Sequence, residues 1–153
     1  KKCGFPFPAN KYRLCRIFEY VFVFVDKDHI NDYTNNRHIK SVSAKTGQSY
    51  YDVQYNFIDA ANNDGKCSLN QATFSSEMVM QLLSIYCNSE AKRIVYDPFI
   101  WTGTTAVGCV KYDAGKNKIE FLGSEISKEQ CDYAMERIED AKRKWSHKQL
   151  TLW

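Results

Sequence analysis

At 153 residues, with 44% hydrophobic and 14% aromatic content, the chain has the size of one domain and enough apolar side chains for a core, which excludes bulk disorder. The net charge of +3 is too small to single out a nucleic-acid partner, yet its distribution is uneven: residues 1–50 hold nine Lys or Arg against four Asp or Glu. A basic N-terminal third suits contact with phosphates, and ordinary solvated lysines would give the same count.

Residues 1–18 read as an irregular lead-in held extended by Pro6 and Pro8. Tyr20 to Val25 is continuously apolar and rich in Val and Phe, which predicts a strand covered on both faces. Such a strand needs neighbours on both sides. The chain offers few, so a sheet incomplete at its N-terminal side is expected. Residues 26–71 are polar and rich in Asn, and Asn62-Asn63-Asp64-Gly65 signals a turn. Tyr50 to Phe57 fits a short strand or a loop.

A helix is predicted over 75–86, with Ser75 as N-cap, Phe74 and Val79 as a hydrophobic staple, and Met78, Val79, Leu82, Leu83 and Tyr86 on its apolar face. Then follow a strand at 93–97, a helix at 103–112, a strand at 119–124 and a helix from 128 to about 144. Ser127 and Gln130 form a capping box for that last helix; Cys131, Ala134, Ile138, Ala141 and Trp145 form its buried stripe. The alternation of strand and helix implies parallel strands joined by right-handed crossovers.

The six cysteines are widely spaced, with no C-x-x-C pair, and His29, His38 and His147 do not join them at ligand spacing. No metal site is expected. Cys109 and Cys131 fall in helical apolar patterns, where a reduced buried thiol is the usual state, and a cytoplasmic setting fits. The sequence carries no secretory signal pattern and no apolar run near the ~18 residues of a membrane span.

The most informative stretch is Asp97-Pro98-Phe99-Ile100-Trp101-Thr102-Gly103-Thr104-Thr105, a tight turn between a strand and a helix start. Turns of this kind bring backbone N–H groups close to a nucleotide-like ligand. The next strand ends in Gly123-Ser124-Glu125, which places a carboxylate where ribose hydroxyls can donate to it. Glu125 serves equally as an acid at the N-terminus of the helix beginning at 128. Together the two strand tips point to an adenosine-containing cofactor.

At these residues the chain resembles the amino-group DNA methyltransferases, which methylate adenine N6 or cytosine N4. Their cofactor motif, Asp-Pro-Phe-x-Gly-(Ser/Thr)-Gly-Thr-Thr followed by a strand ending near Gly-x-Glu, is similar to Asp97–Thr105 and Gly123–Glu125. Ala72-Thr73-Phe74-Ser75-Ser76-Glu77 resembles the segment that precedes this motif in the circularly permuted subclass, and Phe18 to Phe24 resembles the strand before the target-recognition region. The resemblance is specific over 72–141 and looser over 1–71. It implies a single α/β, Rossmann-like methyltransferase domain over 1–153, with a mostly parallel sheet and flanking helices. Within it, 26–71 would be a target-recognition-like insertion and 72–145 the cofactor-binding half.

The resemblance further implies S-adenosylmethionine as cofactor, held by Phe74, Ser75, Asp97, Phe99, Thr102, Gly103, Thr104, Thr105 and Glu125. Phe74 and Ser75 would line its methionine end; Phe74 also serves as the staple. Two departures stand out. Trp101 occupies the family's first motif glycine, where it stacks over the adenine, walls the pocket or fills the cofactor's space. The sequence also contains no Asp/Asn-Pro-Pro-aromatic motif, so no catalytic residue is assigned. DNA is the implied partner, with self-association or a second chain supplying the catalytic motif. An inactive methyltransferase-like module that binds DNA or protein is the alternative. A generic nucleotide-binding domain ranks last, because only Gly103 and Gly108 of a Gly-x-Gly-x-x-Gly pattern are present.

Overall fold

The computed structural model describes residues 20–28, 39–51, 55–61, 63–65, 69, 73–87, 92–114, 116 and 118–146. The expected lead-in at 1–18 lies outside them. Strands β1 (Ile39–Val42) and β2 (Ser49–Tyr51) form an antiparallel hairpin. Its turn closes where the Gly47 N–H donates to the Ser43 carbonyl at 2.9 Å, with Gly47 in the left-handed region at φ 70°. The chain then runs through α1 (Ser76–Tyr86), β3 (Arg93–Asp97), α2 (Thr104–Asp113), β4 (Ile119–Gly123) and α3 (Lys128–Ser146).

Local chemistry sets these boundaries. Ser75 has extended backbone and its Oγ accepts from the Met78 N–H at 3.3 Å, so α1 starts at Ser76. Phe74 packs beside Val79 and Leu83, as the staple requires. Helix α2 begins one residue later than expected because Gly103 is left-handed, at φ 79°. At the start of α3 the capping box is half made: the Gln130 N–H reaches Ser127 Oγ at 3.4 Å, but the buried Gln130 Oε1 has no partner among the described residues. The Ser127 N–H that it would accept goes instead to Glu125 Oε1, at 2.9 Å.

Strands β3 and β4 pair in parallel, in register from Arg93 with Ile119 to Asp97 with Gly123, around the crossover helix α2. Val95 and Phe121 turn toward the helices and join a core of Val79, Leu83 and Cys109, and Phe121 also meets Ala106, Val107, Ile138 and Ala141. Small residues let the helices approach closely. A Cβ on Gly108 would lie 2.5 Å from Val79 Cβ, and one on Gly103 would lie 2.9 Å from Ala134 Cβ.

Two expectations change. The mostly parallel sheet is, among the described residues, a two-stranded parallel pair beside a separate two-stranded hairpin. Tyr20 to Val25 is not a strand, and Tyr20 to Phe24 lie exposed. A segment apolar on both faces pairs only where neighbouring strands receive it. The outer face of the parallel pair is likewise open at Ile94, Tyr96 and Leu122. Among the described residues no helix is long and apolar enough to cross a membrane.

Candidate functional site

The C-terminal ends of β3 and β4, where α/β sheets characteristically bind ligands, are joined by a dense set of short bonds. Beyond the last ladder pair, the Ser124 N–H donates to the Asp97 carbonyl at 3.1 Å and the Ile100 N–H to the Ser124 carbonyl at 3.0 Å. Asp97 then closes the turn over itself. Its Oδ1 accepts from the Phe99 N–H at 3.0 Å, and its Oδ2 from Thr105 Oγ1 at 2.5 Å. One carboxylate thus ties the end of β3 to the first turn of α2.

Glu125 plays the matching part after β4. Its Oε2 accepts from the Trp101 N–H at 2.9 Å, while Oε1 holds Ser127. The bond to Ser127 is the helix-start role expected for this acid. Each carboxylate oxygen has a second lone pair, so neither bond exhausts its capacity to accept. Trp101 is left-handed at φ 46°, a conformation that costs a residue with a Cβ roughly 1–2 kcal/mol. The glycine that the resemblance leads one to expect at this position would have a backbone reason as well as a steric one.

The remaining candidates divide by direction. Phe99, 73% exposed, and Trp101, 43% exposed, stand at the surface of the turn. Thr102 and Thr104 are buried and face α3, where Arg137 Nη1 donates to the Thr102 carbonyl at 2.7 Å and lies 3.3 Å from both hydroxyls. Gly103 sits in the expected turn, and on its α3 side a Cβ would meet Ala134. Gly103 brings no side chain to cap the N-terminus of α2.

Phe74 meets the same turn from α1. It lines a cavity of about 50 Å³ with Asp64, Gly65, Thr73, Thr104, Tyr133 and Arg137. That volume holds roughly one or two waters, against roughly 300–1,000 Å³ for a small-molecule site, so it is a notch beside the turn. Ser75 is buried and committed to its cap. The structure brings Asp97, Phe99, Thr105 and Glu125 to one edge, Thr102 and Thr104 inward to Arg137, and Phe74 beside Thr104. Asp64 and Arg137 were missed in the sequence. The only signal was a cation between the stripe positions Ala134 and Ile138.

Burial dominates the titration of the groups behind the site. The Cys109 thiol, in the core under α2, is pushed up to about 12, first by desolvation and then by Cys87, Asp113 and Asp97. Cys87 is also raised by burial, opposed by Arg93, and Tyr112 is raised by burial and then by Cys87. Among the described residues no three of His, Cys, Asp and Glu gather as a metal site would require.

Comparison with known proteins adds two findings. A family model described as DNA methylase, of the N6/N4 type, matches residues 1–136. The Orphan methyltransferase M.BamHII of Bacillus amyloliquefaciens is 30% identical over 165 aligned positions, which cover 92% of this chain. The chain spans 60% of the length of that relative.

Proposed function

The chain belongs to the N6/N4 DNA methylase family, and we propose that it supplies the S-adenosylmethionine pocket of an enzyme that methylates an exocyclic amino group of DNA, adenine N6 or cytosine N4. The observation that carries this reading is the joining of the two strand tips. Asp97 and Glu125, 28 positions apart in sequence, hold a single turn between them through Phe99, Trp101 and Thr105.

The donor set fits an adenosine sulfonium. Glu125 has lone pairs left for ribose hydroxyls, and its bonds to Trp101 and Ser127 hold the carboxylate in place. Phe99 offers an exposed ring face for the adenine. Asp97 keeps the turn shaped and adds negative charge on the side where a cation would sit. Phe74 lines the notch beside Thr104, and with Ser75 it would face the methionine end. When bound, the cofactor supplies an electrophilic methyl group. The residues of this chain would hold and orient it and exclude water, and none of them is assigned to the clamp on a flipped base.

In the same reading β3, α2 and β4 are one crossover unit of a Rossmann-like sheet, and 26–71 contributes to target recognition. The hairpin in that interval exposes Lys40, Lys45, Tyr50 and Tyr51, side chains suited to phosphate and base contact. A second reading, an inactive module that binds DNA or protein, is favoured by one feature: the Trp101 side chain at the position of the motif glycine.

Calorimetric titration with S-adenosylmethionine, with ATP and NAD as controls, tests the proposal. Selective micromolar binding is expected. A folded sample that binds none of the three overturns it in favour of the inactive module.

A further inference from the structure

Behind the strand tips a second polar network runs through Arg137 of α3. Its Nη1 donates to the carbonyl of the buried Thr102 at 2.7 Å, and its Nη2 to Asp64 Oδ2 at 3.1 Å. The Arg137 and Asp64 side chains are 22% and 24% exposed, so water screens this pair far less than it screens the surface pairs along α3. Asp64 Oδ1 in turn accepts from the Ser76 N–H at 2.9 Å and Ser76 Oγ at 2.8 Å, and Lys111 Nζ donates to that same Oγ at 2.6 Å.

The geometry gives each partner a task. A carbonyl turned inward from a tight turn needs a donor, and Arg137 provides one to Thr102. A guanidinium is a planar fork, so fixing one arm on Asp64 fixes where the other arm points. Asp64 itself sits in a segment docked on α1, where the Ala61 N–H reaches Glu77 Oε2 at 3.3 Å and Gln81 Nε2 reaches the Asp59 carbonyl at 3.0 Å. These residues lie in the C-terminal part of the polar interval 26–71.

We propose that Arg137 is a positioning residue: it holds the turn 101–104 through Thr102, Asp64 orients it, and Asp64 and the turn are thereby set together. Where the turn is taken as the cofactor site, which rests on the function proposed above, a shift of Asp64 when DNA binds changes cofactor affinity. By linkage, the cofactor changes DNA affinity by the same factor.

Asp64→Asn is the cleaner variant, because Arg137→Ala risks unfolding the α3 packing. An amide in place of Asp64 can still accept from Ser76, but its NH₂ then confronts the Arg137 N–H donors. Hydrogen exchange of the 101–105 amides is the first readout and titration with S-adenosylmethionine the second. We expect Asp64→Asn to speed exchange at 101–105 about tenfold while the centres of α2 and α3 keep their protection. Cofactor affinity falls about tenfold with it, and Arg137→Lys, which can reach Thr102 or Asp64 but not both, behaves likewise. Unchanged exchange at 101–105 in Asp64→Asn overturns the proposal, as does a rise spread evenly over the chain. Faster local exchange in a protein whose wild type ignores S-adenosylmethionine sustains the positioning role and removes the cofactor reading instead.

Discussion

The backbone N–H of Trp101 donates to Glu125 Oε2 at 2.9 Å, so the turn that follows β3 is fastened two residues beyond the end of β4. The bond is made from a backbone in the left-handed region, and the same carboxylate holds the Ser127 N–H at the start of α3. Glu125 is therefore a structural acceptor for two elements before any ligand arrives. Under the proposed function, a carboxylate held in this way would need little rearrangement to accept from a ribose diol.

Replacing Glu125 separates these duties. Glu125→Ala leaves both N–H groups without their acceptor and should lower stability by about 1–3 kcal/mol. Glu125→Gln keeps one accepting oxygen, so its loss should be about half as large, yet both variants should lose S-adenosylmethionine affinity by at least about tenfold. Denaturant melts beside titrations decide the matter. Full affinity in Glu125→Ala would remove this residue from the cofactor site.

Trp101→Gly should run against the usual cost of deleting a tryptophan. The left-handed backbone at φ 46° is relieved by glycine, worth about 1 kcal/mol, which offsets part of the burial that the indole, 43% exposed, gives up. We expect a melting midpoint close to that of the parent chain, and tighter cofactor binding. A loss above about 3 kcal/mol would mean that the indole is a core anchor.

How much of this was legible in the sequence follows from the range of each interaction. The boundaries of α1 and the strand Arg93–Asp97 rest on neighbours a few residues apart, such as Ser75 with Met78, and the sequence pattern carries them. The exposure of Tyr20 to Phe24 was not legible, because a strand's state depends on partners elsewhere. Nor was the ion pair of Arg137 with Asp64, which spans 73 positions. At Gly103 the pattern marked a turn glycine, while its packing against Ala134 of α3 depends on a residue 31 positions away. Sequence carries the demand for a small residue and is silent on what stands opposite.

Gly108 makes that point testable. A methyl group there would meet Val79 Cβ at 2.5 Å and Val79 Cγ1 at 2.6 Å, with the Ser76 carbonyl at 3.2 Å. Overpacking costs about 1–3 kcal/mol, offset by about 1 kcal/mol of helix propensity, so Gly108→Ala should destabilise by up to about 2 kcal/mol. Val79→Ala opens space on the facing helix. The double variant should be less damaged than the sum of the singles by about 1 kcal/mol, and strict additivity would place the contact elsewhere.

The buried thiol sets an upper pH limit on the fold. Cys109 is 2% exposed, and its pKa is pushed up to about 12 chiefly by desolvation, while Cys87 and Tyr112 are raised for the same leading reason. In the unfolded chain a thiol titrates near its ordinary value of about 8.5. Above that value the folded state holds a proton that the unfolded state has released, so stability is complete below it and declines as pH rises toward about 12. Urea midpoints should therefore fall between about pH 8 and pH 10.5, and the fall should be smaller in Cys109→Ala. Alkylation gives an independent check: at about pH 8 Cys109 should resist iodoacetamide in the native protein and react once urea unfolds it. Labelling of native Cys109 at the rate of a free thiol, or a midpoint flat across that range, would show that α2 does not seal it from water.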